Sequence, residues 1–497
     1  MSYLFTQRLR YVACCAIISL LFLSMQGCVK HSYKEEPINS RNVLNEINSW
    51  NIDNPDLNQF LQANGISAEQ LNGNVFSIER LYLTSLYYDP EMQVAYKKWK
   101  KAQIAVEHTD YRINPEFSLP FEHHSDTSSG QSEWTIGAVL SFIYERKGKR
   151  DARYARAKVD LLNAKLAITK LAFEQHGQLE DHYHAYIVTK TKIIEIENEI
   201  NVLNNLLEQL ERKFELGAVS QFELSTIQLE LQQRSFQLTL QENILQKNKD
   251  ELLAKSNLAY SEYDSIDIEY IHPLSLAREL YQRPELIKAD IANLQLALLD
   301  NHLDMAMMLN DYAQAEAELR LEIEKQYPDI VLSPGFIFDQ SDNIWTLGTS
   351  WVLPLFKNTK QNLKILKALE DRKIRQGEVV VLQKKLLSSL FMKHKSILRH
   401  KNTLDVSDAI IASIEKRANE INTQIEIGGT DSVTLLRNRM EFYKAKQAQI
   451  EIYNDAIDAM HEIEHLLQTP HFGSEINKII SSWLNHIQEK ETYESVN

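Results

Sequence analysis

The sequence predicts a mainly helical chain with a pair of β-hairpins, arranged as two tandem repeats of long antiparallel helices plus two strands each. Three observations predict it: a scarcity of glycine and proline, a self-similarity at an offset of 211 residues, and a change of apolar period from 3.5 to 2 just before each long helical stretch.

The 497 residues include only 14 Gly and 11 Pro. No proline occurs from Phe121 to His272 or from Leu355 to Thr469, so long uninterrupted helices are the natural reading. The formal charge of -14, with no compensating basic block, argues against a nucleic-acid partner. Cys14, Cys15 and Cys28 are the only cysteines, which leaves the body of the chain without a disulfide framework or a thiolate metal site.

Residues 1–27 read as an export signal: Arg8 and Arg10, an apolar run from Tyr11 to Met25, then Gly27 ahead of Cys28. Ser24-Met25-Gln26-Gly27-Cys28 resembles a lipobox, which implies lipidation of Cys28. Val29 in place of Asp resembles the outer-membrane sorting pattern of lipoproteins. No other segment approaches the ~18 consecutive apolar residues of a membrane-spanning helix.

The repeat is visible in matched landmarks. Leu86-Tyr87-Tyr88-Asp89-Pro90-Glu91 returns as Leu280-Tyr281-Gln282-Arg283-Pro284-Glu285, and Asn114-Pro115-Glu116-Phe117 as Tyr327-Pro328-Asp329-Ile330. Trp134 to Gly137 returns as Trp345 to Gly348, and Phe214 to Gly217 as Ile425 to Gly428; these last two share the offset of 211. The boundaries that follow are 1–27 for the signal and 28–75 for an N-terminal extension after the lipidated cysteine. The first repeat covers 76–272, the second 273–470, and a C-terminal equatorial segment 471–497.

A heptad seam runs through Ile193, Ile196, Ile200, Leu203, Leu207, Leu210 and Phe214, and its image is Leu404, Ser407, Ile411, Ile414, Ala418, Ile421 and Ile425. Each repeat therefore has a helix from near Arg146 or Phe356 to a glycine, about 100 Å long at 1.5 Å per residue. Leu216-Gly217 has the character of a helix end with glycine in the left-handed conformation, and Ser220 to Glu223 that of a capping box opening the next helix. Gly428-Gly429 and Asp431 repeat the arrangement.

Ahead of the long helices, Trp134, Ile136, Ala138, Leu140 and Phe142 alternate with smaller or polar residues, as do Trp345, Leu347, Thr349, Trp351 and Leu353. Each run follows another extended stretch across a polar loop, so each repeat carries one hairpin. Strands of about ten residues with one apolar face suit a bilayer-spanning barrel. Four strands are too few to close one, so a membrane role requires an oligomer.

Two copies of hairpin, long helix, glycine turn and returning helix behind a lipobox-like N-terminus resemble the TolC family of outer-membrane factors. The motifs are Asn114 to Phe117, Tyr327 to Ile330, the WTLGTSWVLPLF stretch from Trp345 to Phe356, and the turns at Gly217 and Gly428; the resemblance covers residues 75–470. It implies a homotrimer with a 12-stranded outer-membrane barrel continuous with a periplasmic helical barrel. Such a protein is the exit duct of a tripartite efflux or export system and conducts small molecules, drugs or metal ions with no cofactor. The resemblance places adaptor-docking tips at Leu216, Gly217, Ala218, Val219 and Ser220 and at Ile427, Gly428, Gly429, Thr430 and Asp431. A periplasmic adaptor would meet them while an inner-membrane pump supplies energy. Thr434 and Arg437 stand where some members carry aperture carboxylates, which argues against an acidic ring here. The Asn114 to Phe117 motif is similar to that of the heavy-metal efflux branch.

Other readings compete. A lipid-anchored coiled-coil scaffold accounts for the heptads and Cys28 but leaves the hairpins unexplained. A periplasmic adaptor would need many more short strands and Gly-rich turns. His461-Glu462-Ile463-Glu464-His465 matches the zinc-protease pattern H-E-x-x-H, yet it falls in the returning helix with no third ligand in view, so neither an enzyme nor a metal site is expected. His182 and His184 are two apart and point in different directions on a helix; His123-His124 sits where a strand meets its loop.

Overall fold

A computed structural model describes residues 33–126, 128, 130–282, 287, 290–339, 342–353, 360–468 and 476–496, and the chain divides into two units, 1–49 and 50–497. The export signal, Cys28, residues 283–285 of the Leu280 to Glu285 landmark and the 354–356 exit lie outside the described residues. The described part of the first unit holds one helix, α1 (Ser40–Asn48), capped by the Asn39 side chain, which accepts from the Arg41 amide at 2.9 Å.

The second unit opens with α2 (Pro55–Ala63), α3 (Ala68–Asn72), β1 (Val75–Phe76), α4 (Ile78–Tyr88) and α5 (Pro90–Glu107). Then come β2 (Glu116–Ser118), β3 (Phe121–His123), β4 (Trp134–Tyr144), α6 (Lys147–Glu215), α7 (Gln221–Lys255) and β5 (Asp267–Ile268). The chain continues through α8 (Pro273–Tyr281), α9 (Ile291–Asn301), α10 (Leu303–Glu324), β6 (Ile330–Asp339) and β7 (Asp342–Ser350). It ends with α11 (Lys360–Glu426), α12 (Ser432–Leu467) and α13 (Ile476–Val496).

The offset of 211 survives folding to the residue: α6 ends at Glu215 and α11 at Glu426, and α7 starts at Gln221 and α12 at Ser432. With 69 and 67 residues, α6 and α11 each extend about 100 Å. Ile193, Ile196, Leu203 and Leu210 of the seam are buried, as are Leu404, Ser407 and Ile411 of its image. Phe214 departs from the expected seam and is 40% exposed. It lies past Leu210, the last α6 residue of the small core gathered there.

The hairpins join into one antiparallel sheet in the order β2-β4-β6-β7, with β3 also on β4. β2 and β3 are separated at Leu119-Pro120 because proline has no amide to give the ladder. The Pro120 carbonyl still accepts from Gly137 N at 2.9 Å, and a Cβ on Gly137 would stand 2.8 Å from the proline ring. One face of the sheet carries polar pairs among aliphatic residues such as Ile143 and Ile337: Ser141 and Ser333 hydroxyls are 2.9 Å apart, and Thr135 donates to Asp339. The other presents Trp134, Ile136, Phe142, Trp345 and Leu347 to the outside.

The main core lies where α4, the middle of α6 and the end of α12 meet. Residues 50–76 belong to it: Leu57, Phe60 and Leu61 are buried, and β1 pairs in parallel with β5. The C-terminal α13 joins them through the fully buried Trp483, which meets Tyr96 edge-on at 6.1 Å, and through Asn64 Nδ2 donating to Ser482 Oγ at 3.2 Å.

Candidate functional site

The two glycine turns are built alike. Gly217 has φ 69° and Gly428 φ 74°, a region open to glycine at little cost and strained for other residues. At each, the glycine amide donates to the carbonyl three residues back, Phe214 at 2.8 Å and Ile425 at 3.0 Å. The next amide donates five back, Ala218 to Lys213 and Gly429 to Gln424, both at 2.8 Å. This double closure satisfies the orphaned carbonyls at the end of each helix. Nothing lies within 4 Å of where a Cβ would stand on Gly217 or Gly428, so conformation and not space demands glycine there.

The following helices are capped as their sequences predict. Ser220 Oγ accepts from Glu223 N at 3.2 Å, and Asp431 Oδ1 accepts from the amide and hydroxyl of Thr434, each at 3.0 Å. The reciprocal half of the expected capping box is not made at Ser220, because the Glu223 carboxylate is instead paired with the Arg437 guanidinium of α12. Arg437 and Thr434, the aperture candidates, are therefore both engaged, one in this ion pair and the other in the Asp431 cap.

The turns are tied to each other. Lys213, in the last turn of α6, pairs with Asp431 at the start of α12, and this lysine holds the Asp431 carboxyl below its ordinary range. Ser432 Oγ donates to Gln209 Oε1 at 2.5 Å, and Lys444 pairs with Glu230 at 2.7 Å. Beneath them, Leu206, Leu210, Leu224, Ile227, Val433 and Leu436 form a small core shared by α6, α7 and α12, with Val219 packed on it. Leu216 and Ile427, the matched residues of the two turns, are 83% and 71% exposed, so each turn offers one apolar side chain outward. Ala218, Ser220 and Gly429 are also exposed, and Thr430 Oγ1 donates to Thr434 Oγ1 at 3.1 Å.

Further up, sequence reading missed a buried triad. Glu199 of α6, 0% exposed, pairs with Arg234 Nε of α7 at 3.0 Å and accepts from Gln447 Nε2 of α12 at 2.7 Å. A carboxylate flanking the apolar seam, beside Ile200, was the available signal.

The histidines fall elsewhere. His123 meets Trp134 and Glu133, while His124 turns to Thr135 at 2.8 Å and Asp339 at 3.5 Å. His182 faces Glu251 at 3.9 Å, whereas His184 is buried, so the two do point apart. His461 of the H-E-x-x-H stretch is buried against His184, and the ring of His465 lies by Phe173. Among the described residues no group of three or more His, Cys, Asp or Glu is placed to hold a metal ion, and no helix is long and apolar enough to cross a membrane.

Neither a family model nor a curated protein matches the sequence. Solved structures do. The chain is similar to the outer membrane protein VceC of Vibrio cholerae, with TM-score 0.60, 15% identity, and 78% of this chain and 95% of that one covered. It is also similar to the Campylobacter jejuni CmeC outer membrane channel, at TM-score 0.58, 11% identity, and 92% and 94% coverage. A third is CusC, studied for transmembrane channel formation, at TM-score 0.58, 12% identity, and 78% and 91% coverage. The fold is that of the TolC-type outer-membrane channels. Within this TolC-type fold, the paired turns are the free ends of the longest helices, at the end of each rod opposite the sheet.

Proposed function

We propose that this protein is the outer-membrane exit duct of a tripartite efflux or export system, working as a homotrimer. The observation that carries the reading is the sheet: four strand positions, with β2 and β3 sharing one, an aromatic-rich apolar face and an opposite face bearing the hydrogen-bonded polar pairs, and open edges at β2, β3 and β7. An edge is not tolerated in lipid, and three copies would supply twelve strands and close the barrel. The helices favour the same assembly. Phe222, Leu229 and Phe236 stand exposed at heptad spacing on α7, and Ile374, Val381, Val406 and Ile410 are exposed on α11. Apolar stripes of that length ask for a neighbouring copy.

In this reading the polar face of the sheet lines a water-filled lumen, and the exposed Leu216 and Ile427 at the turns meet the helical hairpins of a periplasmic adaptor coupled to an inner-membrane pump. Residues 216–220 and 427–431 form the docking tips, Thr434 and Arg437 line the aperture, and Cys28 carries the lipid anchor. The aperture would lack an acidic ring, since the side chain contributed at Arg437 is a cation neutralised by Glu223.

The test is light scattering of the detergent-extracted mature protein together with negative-stain electron microscopy. A trimer mass and a hollow rod with a detergent belt at one end are expected. A dimer, or a solid rod with no belt, would overturn the duct and leave the anchored coiled-coil scaffold.

A further inference from the structure

Between α6 and the last turns of α12 lies a cavity of about 920 Å³ with five histidines on its walls: His176, His184, His302, His461 and His465. The helices close in on it because Gly177 of α6 has no side chain. A Cβ there would stand 2.9 Å from the His465 ring. At the centre the His184 and His461 rings stack, 4.0 Å between centroids and 25° between planes, and both residues are more than nine-tenths buried.

Two imidazolium rings at that separation repel, so protonating both rings of the stack is costly. The charges facing the stack decide whether one of them carries a proton. From α6 come Glu180, which also pairs with His176 at 3.3 Å, and Asp181, whose Oδ1 is 4.0 Å from His461 Nδ1. From α12 itself come Glu464, buried, and Asp458 on the cavity wall. The two lysines on the walls are spoken for: Lys170 bonds Asp304 at 2.6 Å and Glu174 at 3.7 Å, and Lys393 of α11 bonds Glu462 at 3.0 Å. The local field is negative and favours one proton on the stack.

We propose that this cavity is a protonation-dependent fastening between the two repeats, in which a single imidazolium at the His184–His461 stack, held by Glu180, Asp181 and Glu464, locks the end of α12 against α6. Burial works against a charge on His461, but Asp181, Glu180 and Glu464 outweigh it and hold its affinity for the proton above the ordinary histidine value. A group shifted in that sense contributes fully below pH ~6.5 and loses its contribution as the pH rises through its raised value. His302 works in the opposite sense. Its Nδ1 accepts from Asp304 N at 3.2 Å to cap α10, which requires the neutral ring, and burial lowers its affinity for the proton. Its contribution is therefore complete above pH ~6.5 and lost below. The fastening has an alkaline limb from His461 and an acid limb from His302.

Hydrogen exchange of the full-length protein in detergent tests this, following segment 454–468 from pH 5.5 to 8.5 after correction for intrinsic rates, with segment 221–232 as the distant control. Protection of 454–468 is expected to be lost as the pH rises above neutrality, while the control stays level. His461→Gln should abolish that alkaline loss, and His302→Asn, which keeps a capping side chain, should abolish only the acid limb. Should His461→Gln misfold, Asp181→Asn, whose side chain is 74% exposed, reads the same device by moving the alkaline midpoint to lower pH. Level protection in the unaltered protein, an alkaline limb that persists in His461→Gln, or a midpoint unmoved by Asp181→Asn would each overturn the proposal.

Discussion

Lys213 and Asp431 join the end of one repeat's long helix to the beginning of the other repeat's returning helix. The aspartate does two things at once: it caps α12 through Thr434 and neutralises the lysine across the turn.

Separating those two roles needs two substitutions. Asp431→Asn retains a capping side chain and loses only a solvent-screened ion pair, at about 0.2–1 kcal/mol. Asp431→Ala loses the cap as well, at about 1 kcal/mol more. Hydrogen exchange over 428–440 should rank them in that order. Because Lys213 lowers the proton affinity of Asp431, the ion pair's contribution is present above the ordinary carboxylate value and fades as the pH falls through the lower one, so exchange there should rise only in strong acid.

At Gly217 and Gly428 the demand is conformational. Valine at either position would force a β-branched residue into positive φ, costing about 1–2 kcal/mol, and would reshape the turn without clashing with a neighbour. If the protein is the proposed trimeric duct, resistance to exported drugs or metals should fall while the trimer mass is unchanged, and Asn should be better tolerated than Val. Unaltered resistance in both valine variants would remove the turns from adaptor docking.

The Glu199 triad should behave as a buried charge pair. Glu199→Ala strands Arg234 in a largely buried position and is expected to cost about 3–5 kcal/mol. Replacing both by apolar residues, Glu199→Leu with Arg234→Met, should recover most of it. Thermal unfolding of the unaltered protein, Glu199→Leu, Arg234→Met and the double variant checks the cycle, and additive losses would mean the pair is not coupled.

On the sheet, Leu347 in mid-strand faces outward beside Trp345, and Ser333 lies on the polar face. Leu347→Arg should cost about 2–4 kcal/mol if that face meets the bilayer centre, and should block membrane insertion. Ser333→Arg should be inserted normally. Equal recovery of both variants in the membrane fraction would contradict the lipid-facing assignment.

The rods, turns and caps were legible in sequence because each is a local signal: an absence of proline, a glycine at a helix end, a serine or aspartate before an apolar run. The hairpins followed from a change of period. Contacts between distant segments left no such mark. Nothing near Phe60 announces α13, since its partners Tyr87 and His486 lie far along the chain. Arg80 reads as a surface charge on a helix, yet it is buried over the Phe76 ring and donates to the carbonyls of Gln70, Leu71 and Gly73. The H-E-x-x-H stretch misleads for the same reason. Its first histidine is spent on a residue of the other repeat, through a stack that no spacing rule encodes.

The shared offset of 211 also limits how such a chain can change length. Deleting one residue from α6 would lift Lys213 by about 1.5 Å and swing it roughly 100° around the helix, away from Asp431, while α11 stayed as it was. A deletion in one rod keeps the two turns level only with a matching deletion in the other, and whole heptads taken from both also return each side chain close to its face. Length in these helices is inherited as a pair.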